Sequence, residues 1–293
     1  MFEVFSDTFD CHNWCVLVDG HRITPCQQVM DCLGNLSVLV IHDAVLELAL
    51  PSRLNVLHLH HCSLSASAWS GIRQAQRLTE VKLESVKLKK GALGELPSSV
   101  IKLIIKNTAV NNNAMIADDG ESTYNVKELD ISKDTLFTKV SFLTIPVAFR
   151  YIQVFCAREC KAKITRLSCR NFPFLFDFDA SGSEVCDDDL CHLPRGLRRL
   201  SLADCANLSN GGLDNITKKL ASLHYLDISR CTSLTEDRVL KLSLIGGLME
   251  VRMINIIVGP ITMAALKRAL PACHFVQRNL LHDNLIISAL QKT

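Results

Sequence analysis

Apolar and polar positions alternate along this chain in short bursts, and the bursts recur. In each, an aliphatic residue is followed three places on by a second and two places further by a third. A small or thiol residue follows three places after that, giving L-x-x-L-x-L-x-x-(C/N/T/A)-x-L. Clear copies are Leu36/Leu39/Ile41/Ala44, Leu54/Leu57/Leu59/Cys62, Leu78/Val81/Leu83/Val86, Val100/Leu103/Ile105/Thr108 and Val126/Leu129/Ile131/Asp134. Two degenerate copies begin at Phe149 (with Ile152, Val154, Ala157) and Ile164 (with Leu167, Cys169, Phe172). Three more follow at Leu197, Leu223 and Leu248. The ten starts lie 15 to 33 residues apart, mostly 22 to 26, which is the signature of a repeat array.

Side chains alternate along a strand, so each L-x-L tripeptide turns its aliphatics to one side and its neighbours to the other. Between strands the chain returns through segments with helical spacing, such as 210–220 and 236–242, which open on Ser or Thr caps. One repeat cannot cover its own apolar edge, so stacked copies form a continuous core. The expected fold is an α/β solenoid: a horseshoe with a parallel concave sheet and helices on its convex side. Residues 36–271 carry the repeats, between an N-terminal cap over 1–35 and a C-terminal cap over 272–293. Insertions are expected at 111–125, which is Asn-rich, and at 172–193, which joins aromatics to an acidic run. In the second, the phenylalanines either pack under the loop or form an exposed hook.

The segments LRRLSLADCANLSNGGLDNI and LHYLDISRCTSLTEDRVLKL resemble the cysteine-containing class of leucine-rich repeats, best known from F-box substrate receptors. Cys205 and Cys231 stand at that family's cysteine position, with Leu208-Ser209 and Leu234-Thr235 at its Leu-Thr position. The resemblance implies a binding scaffold, with a substrate-recognition subunit of a ubiquitin ligase as one form of it. About 35 residues precede the first repeat, too few for a three-helix docking module.

Composition narrows this picture. Hydrophobic residues make up 48% of 293 positions and charged residues 21%, a globular balance. The formal net charge of +2 does not advertise a nucleic acid or an anionic membrane. Thirteen cysteines without a secretory leader read as reduced thiols, hence a cytoplasmic setting with cytoskeletal or nuclear assemblies left open. No apolar run is long enough to span a bilayer.

Candidate chemistry is sparse. His58, His60 and His61 sit beside Cys62, and Cys186, Asp187, Asp188, Asp189, Cys191 and His192 form a second cluster, but neither supplies a tetrahedral ligand set. Phosphate-binding, dinucleotide and nucleophile-elbow motifs are absent from the sequence. The chain therefore reads as a non-enzyme without cofactor, metal or small-molecule substrate. In the expected register, the outward positions gather Tyr151, Phe155, Arg166, Arg170, Arg199 and Tyr225, flanked by Arg150 and Arg198. Tyr and Arg are enriched at binding hot spots, so this patch is the expected contact for a partner protein. A ribonucleoprotein role, with arginines on phosphate and aromatics on bases, is the alternative.

Overall fold

In the computed structural model, described residues are 2–5, 15–23, 36–47, 50, 53–88, 92–108, 125–134, 149–160 and 172–278. They form two compact units, Met1–Ile152 and Gln153–Thr293.

The first unit contains β1 (Phe2–Phe5), β2 (Cys15–Ile23), β3 (Val38–Leu46), β4 (Val56–His60), β5 (Ser63–Leu64), β6 (Glu80–Glu84), β7 (Lys102–Lys106) and β8 (Glu128–Asp130). Strand β1 pairs antiparallel with β2. From β2 onward the ladder β2-β3-β4-β6-β7-β8 is parallel, with β5 on the side of β3. The second unit stacks β9 (Val154–Cys156), β10 (Asp177–Asp179), β11 (Arg199–Ser201), β12 (Tyr225–Asp227), β13 (Glu250–Arg252) and β14 (His274–Val276), all parallel.

One repeat frame accounts for both units. Inward residues at its first, fourth and sixth positions are buried, from Leu36/Leu39/Ile41 to Leu248/Val251/Met253. The eighth position is left-handed in every copy: Asp43, His61, Ser85, Asn107, Lys133, Glu159, Gly182, Asp204, Arg230 and Asn255 all have positive φ. That single reversed residue turns the chain off the sheet. Its N–H then reaches the following rung, as Asp204 to the Ser229 carbonyl at 2.9 Å and Arg230 to Ile254 at 2.7 Å.

The ninth residue works against the preceding rung. In several repeats with Thr, Ser or Cys there, the side chain donates to the carbonyl at that rung's sixth position: Thr108 Oγ1 to Leu83 at 3.3 Å, Ser183 Oγ to Ala157 at 2.5 Å, Cys205 Sγ to Ala180 at 3.3 Å and Cys231 Sγ to Leu202 at 3.1 Å. These carbonyls lie where the chain leaves the sheet and would otherwise be buried without a donor. Burial pushes the Cys205 thiol up to about 11 and the Cys231 thiol up to about 12, so both stay protonated and able to donate. Small donors therefore interchange freely at this place.

The frame corrects one expected copy. Repeat six runs Ile152, Phe155, Ala157, Cys160, not from Phe149; the next rung in the ladder, repeat seven, runs Leu175, Phe178, Ala180, Ser183, and the copy expected from Ile164 begins outside the described residues. A large Phe followed by a small Ala replaces two aliphatics, and the Phe155 and Phe178 rings stack at 5.6 Å. The expected insertion at 172–193 thus contains a full rung, β10. The one expected at 111–125 falls almost wholly outside the described residues.

Return segments vary with repeat length. Long copies carry helices α1 (Ala66–Gln74), α3 (Asn210–Lys219) and α5 (Pro260–Ala269); shorter ones have a 3-10 turn at Ala92–Glu95 or the single-turn α2 (Asp187–Leu190), with α4 (Glu236–Leu240) between them. A helix consumes more residues per ångström than extended chain, so extra residues are taken up by coiling. Neighbouring returns interlock: the Asp187 carboxylate accepts from Ser209 N–H at 2.9 Å ahead of α3, and Glu236 accepts from Gly259 N–H at 2.8 Å ahead of α5. Gly212 permits this approach, because a Cβ there would lie 2.4 Å from Asp187 Oδ1.

Candidate interaction surface

With the frame fixed, positions three, five and seven of each rung face outward. In the first unit the rows are Val38/Val40/His42, Val56/His58/His60, Glu80/Lys82/Glu84, Lys102/Ile104/Lys106 and Glu128/Asp130/Ser132. Their charges answer one another across rungs: His58 meets Glu80 at 3.0 Å, His60 meets Glu84 at 3.1 Å, and Lys102 meets Glu80 at 3.1 Å. His42 stacks on His60 with ring centroids 4.3 Å apart. Burial, then Lys82 and His42, hold the His60 imidazole below its ordinary value, against Glu84. The Lys82 ammonium bonded to Glu84 lowers that carboxyl. Glu80 is lowered as well, where His58 and Lys102 outweigh burial. No group of three or more metal-binding side chains is poised to hold an ion among the described residues.

The second unit presents a different face. Its third positions are Val154, Asp177, Arg199, Tyr225, Glu250 and His274, and its fifth positions Cys156, Asp179, Ser201, Asp227, Arg252 and Val276. Arg199 Nε lies 3.2 Å from Asp177 Oδ2, and the same guanidinium sits 4.2 Å over the Tyr225 ring. Arg252 of the next rung interacts electrostatically with Tyr225, and its Nε lies 3.3 Å from Glu250. Arg158 reaches Asp179 at 2.8 Å. A continuous acid–Arg–Tyr–Arg–acid row thus crosses four rungs, and each guanidinium is held in place by its neighbours. Burial raises the Asp177 carboxyl despite Arg199.

The expected contact residues separate. Arg199 and Tyr225 stand together on the outward face. Tyr151 is exposed (41%), but on the turn ahead of Ile152 rather than on a strand. Phe155 is fully buried: it occupies the fourth position of repeat six, and the expected outward register there was displaced by three residues. Arg166 and Arg170 lie outside the described residues. The sequence reading passed over Asp177 and Asp179, assigned to an insertion, although Gly182 and Ser183 mark that rung's eighth and ninth positions.

The acidic run around Cys186 has a structural role. Asp189 accepts from the Cys186 backbone at 3.0 Å, and Asp187 serves the next helix start. Among the described residues no helix is long and apolar enough to cross a membrane.

Parallel rungs, a buried L-x-x-L-x-L frame and few helices define a leucine-rich-repeat solenoid. Among solved structures the chain is similar to an internalin from Listeria monocytogenes, with a TM-score of 0.53 and 11% identity over 90% of this chain and 86% of that one. At that identity the likeness is one of fold. No protein-family model matches the chain, and no curated protein does.

Proposed function

We propose that this chain is a non-catalytic interaction scaffold that binds a partner protein across the outward strand face of residues 153–293, with Arg199 and Tyr225 as anchors. The stacked Arg199–Tyr225 pair carries the reading. Both side chains are oriented before binding by a rigid ladder, so little conformational freedom remains to be lost on association. Carboxylates of Asp177 and Glu250 share the anchors' column, Asp179 and Asp227 stand in the next, and together they repel a phosphate backbone, which favours protein over nucleic acid. The protonated thiols of Cys205 and Cys231 fit a reducing, cytoplasmic setting.

The test is quantitative affinity purification with Arg199→Gln and Tyr225→Ala. Each is expected to weaken partner recovery about tenfold or more, as loss of a hot-spot side chain does, while the melting temperature changes little. Recovery unchanged by both variants refutes the assignment.

A further inference from the structure

A second surface lies at the leading ends of the same strands. Position-two residues of successive rungs are Phe176, Arg198, His224 and Met249. They are neighbours: Arg198 N–H donates to the Phe176 carbonyl, His224 to Arg198, and Met249 to His224, each at 2.8 Å. Phe176 is 37% exposed and Met249 62%. The tight turn closed by Leu175 N–H on the Phe172 carbonyl lifts Phe174, 53% exposed, beside them. On the next rung the corresponding turn, closed by Leu197 N–H on Pro194, presents Arg195 and Gly196. A Cβ built on Gly196 meets no atom within 4 Å, so the backbone of this turn is open to solvent one rung from the Phe174 turn.

The charges here differ from those of the strand face. On that face Arg158, Arg199 and Arg252 each reach a carboxylate. Arg195 and Arg198 are exposed and form no ion pair among the described residues. Two unanswered guanidinium groups beside exposed phenylalanines combine the charge and apolar area that interface cores and rims use together. Within residues 172–278 this edge carries two such cations, and Asp177 and Glu250 adjoin them in the third column. A polyphosphate needs a longer cationic row. A short run of carboxylates does not.

We propose that this edge docks an acidic linear segment of a partner protein, laying one apolar side chain across the bare Gly196 turn toward Phe174 while its carboxylates pair with Arg195 and Arg198. The inference rests on the scaffold reading but uses residues apart from its Arg199–Tyr225 anchors.

The probe is a fluorescein-labelled peptide of about a dozen residues, Asp and Glu around one central Leu, titrated with the full chain by anisotropy. Saturable binding is expected. Arg198→Glu and Gly196→Leu should each weaken it about tenfold, the scale of one charge-assisted contact. Gly196→Leu should melt with the parent protein, since the added side chain enters open space. Replacing the peptide's Leu by Ser should also weaken binding. Tyr225→Ala should leave it within about twofold, so failure of the edge is distinguished from failure of the strand face. The proposal is overturned if the peptide does not saturate, or if Arg198→Glu and Gly196→Leu leave its affinity unchanged. It is also overturned if a uridine oligonucleotide of similar length binds more tightly than the peptide.

Discussion

Repeats eight and nine build their interior from Leu200/Leu202 and Leu226/Ile228, whereas repeats six and seven use Phe155/Ala157 and Phe178/Ala180. Both pairs sit in the same ladder, in register, under the same backbone turns. The difference shows that the fold prescribes a summed volume for each rung, not a residue type at each place. A large ring at the fourth position is balanced by a methyl at the sixth, and stacking of Phe155 on Phe178 carries the arrangement from one rung to the next.

The comparison can be broken at its most loaded point. Phe155→Ala should cost about 3–5 kcal/mol in urea unfolding, because the neighbouring Ala157 cannot fill the hole. Leu226→Ala, beside the larger Ile228, should cost about 2–4 kcal/mol on the same scale. Equal losses would mean that the two kinds of rung pack alike. A compensated exchange sharpens the point: Ala157→Leu alone should destabilise by about 1–3 kcal/mol through overpacking, and adding Phe155→Leu should recover most of it. Strict additivity of the two would contradict volume sharing.

Backbone rather than volume governs the eighth position. Gly182 has φ of 70°, and a Cβ there would come 3.0 Å from Glu159 Cγ. Gly182→Ala should therefore cost roughly 1–2 kcal/mol by thermal unfolding, the usual penalty of a left-handed residue that carries a Cβ. Asp204 takes the same left-handed backbone, with φ of 58°.

The smallest effect separates the two units by pH. Glu80 and Glu84 titrate below their ordinary value in the fold, so their stabilisation is present near neutrality and fades as pH falls through the acid range. His60 also titrates low, so protonation below about 6.5 favours the unfolded chain. Asp177 titrates high, and its protonation favours the fold. Hydrogen exchange compared between pH ~7.5 and ~5.5 should thus show amides of β4 and β6 losing protection while those of β10 and β11 hold theirs. The reverse pattern would contradict the assignment of partners.

How much was legible follows from the same contrast. Wherever both inward places hold an aliphatic residue, the period-two pattern locates the strand, as at Leu57/Leu59, Leu103/Ile105 and Leu200/Leu202. At Phe155/Ala157 it does not, because alanine carries too little hydrophobic signal and the neighbouring Val154 offers a false partner. That slip hid Asp177 and Asp179 and sent Phe155 to the surface on paper. Arg199 and Tyr225 were legible because their own rungs are regular. Ion pairing between rungs was not, since it depends on which charge lies one rung away. The edge formed by Phe174, Arg195 and Arg198 stayed hidden for a further reason: turn residues outside the repeat frame obey no periodicity.

Recognition by the outward strand face is tested most directly by photo-crosslinking from position 225, with benzoylphenylalanine in place of Tyr225 and, as control, of exposed Leu244 on the return side. The expected result is a discrete protein adduct from 225, competed by unlabelled parent chain, and none from 244. Adducts from 244 alone, or from neither position while the partner still co-purifies, would contradict it.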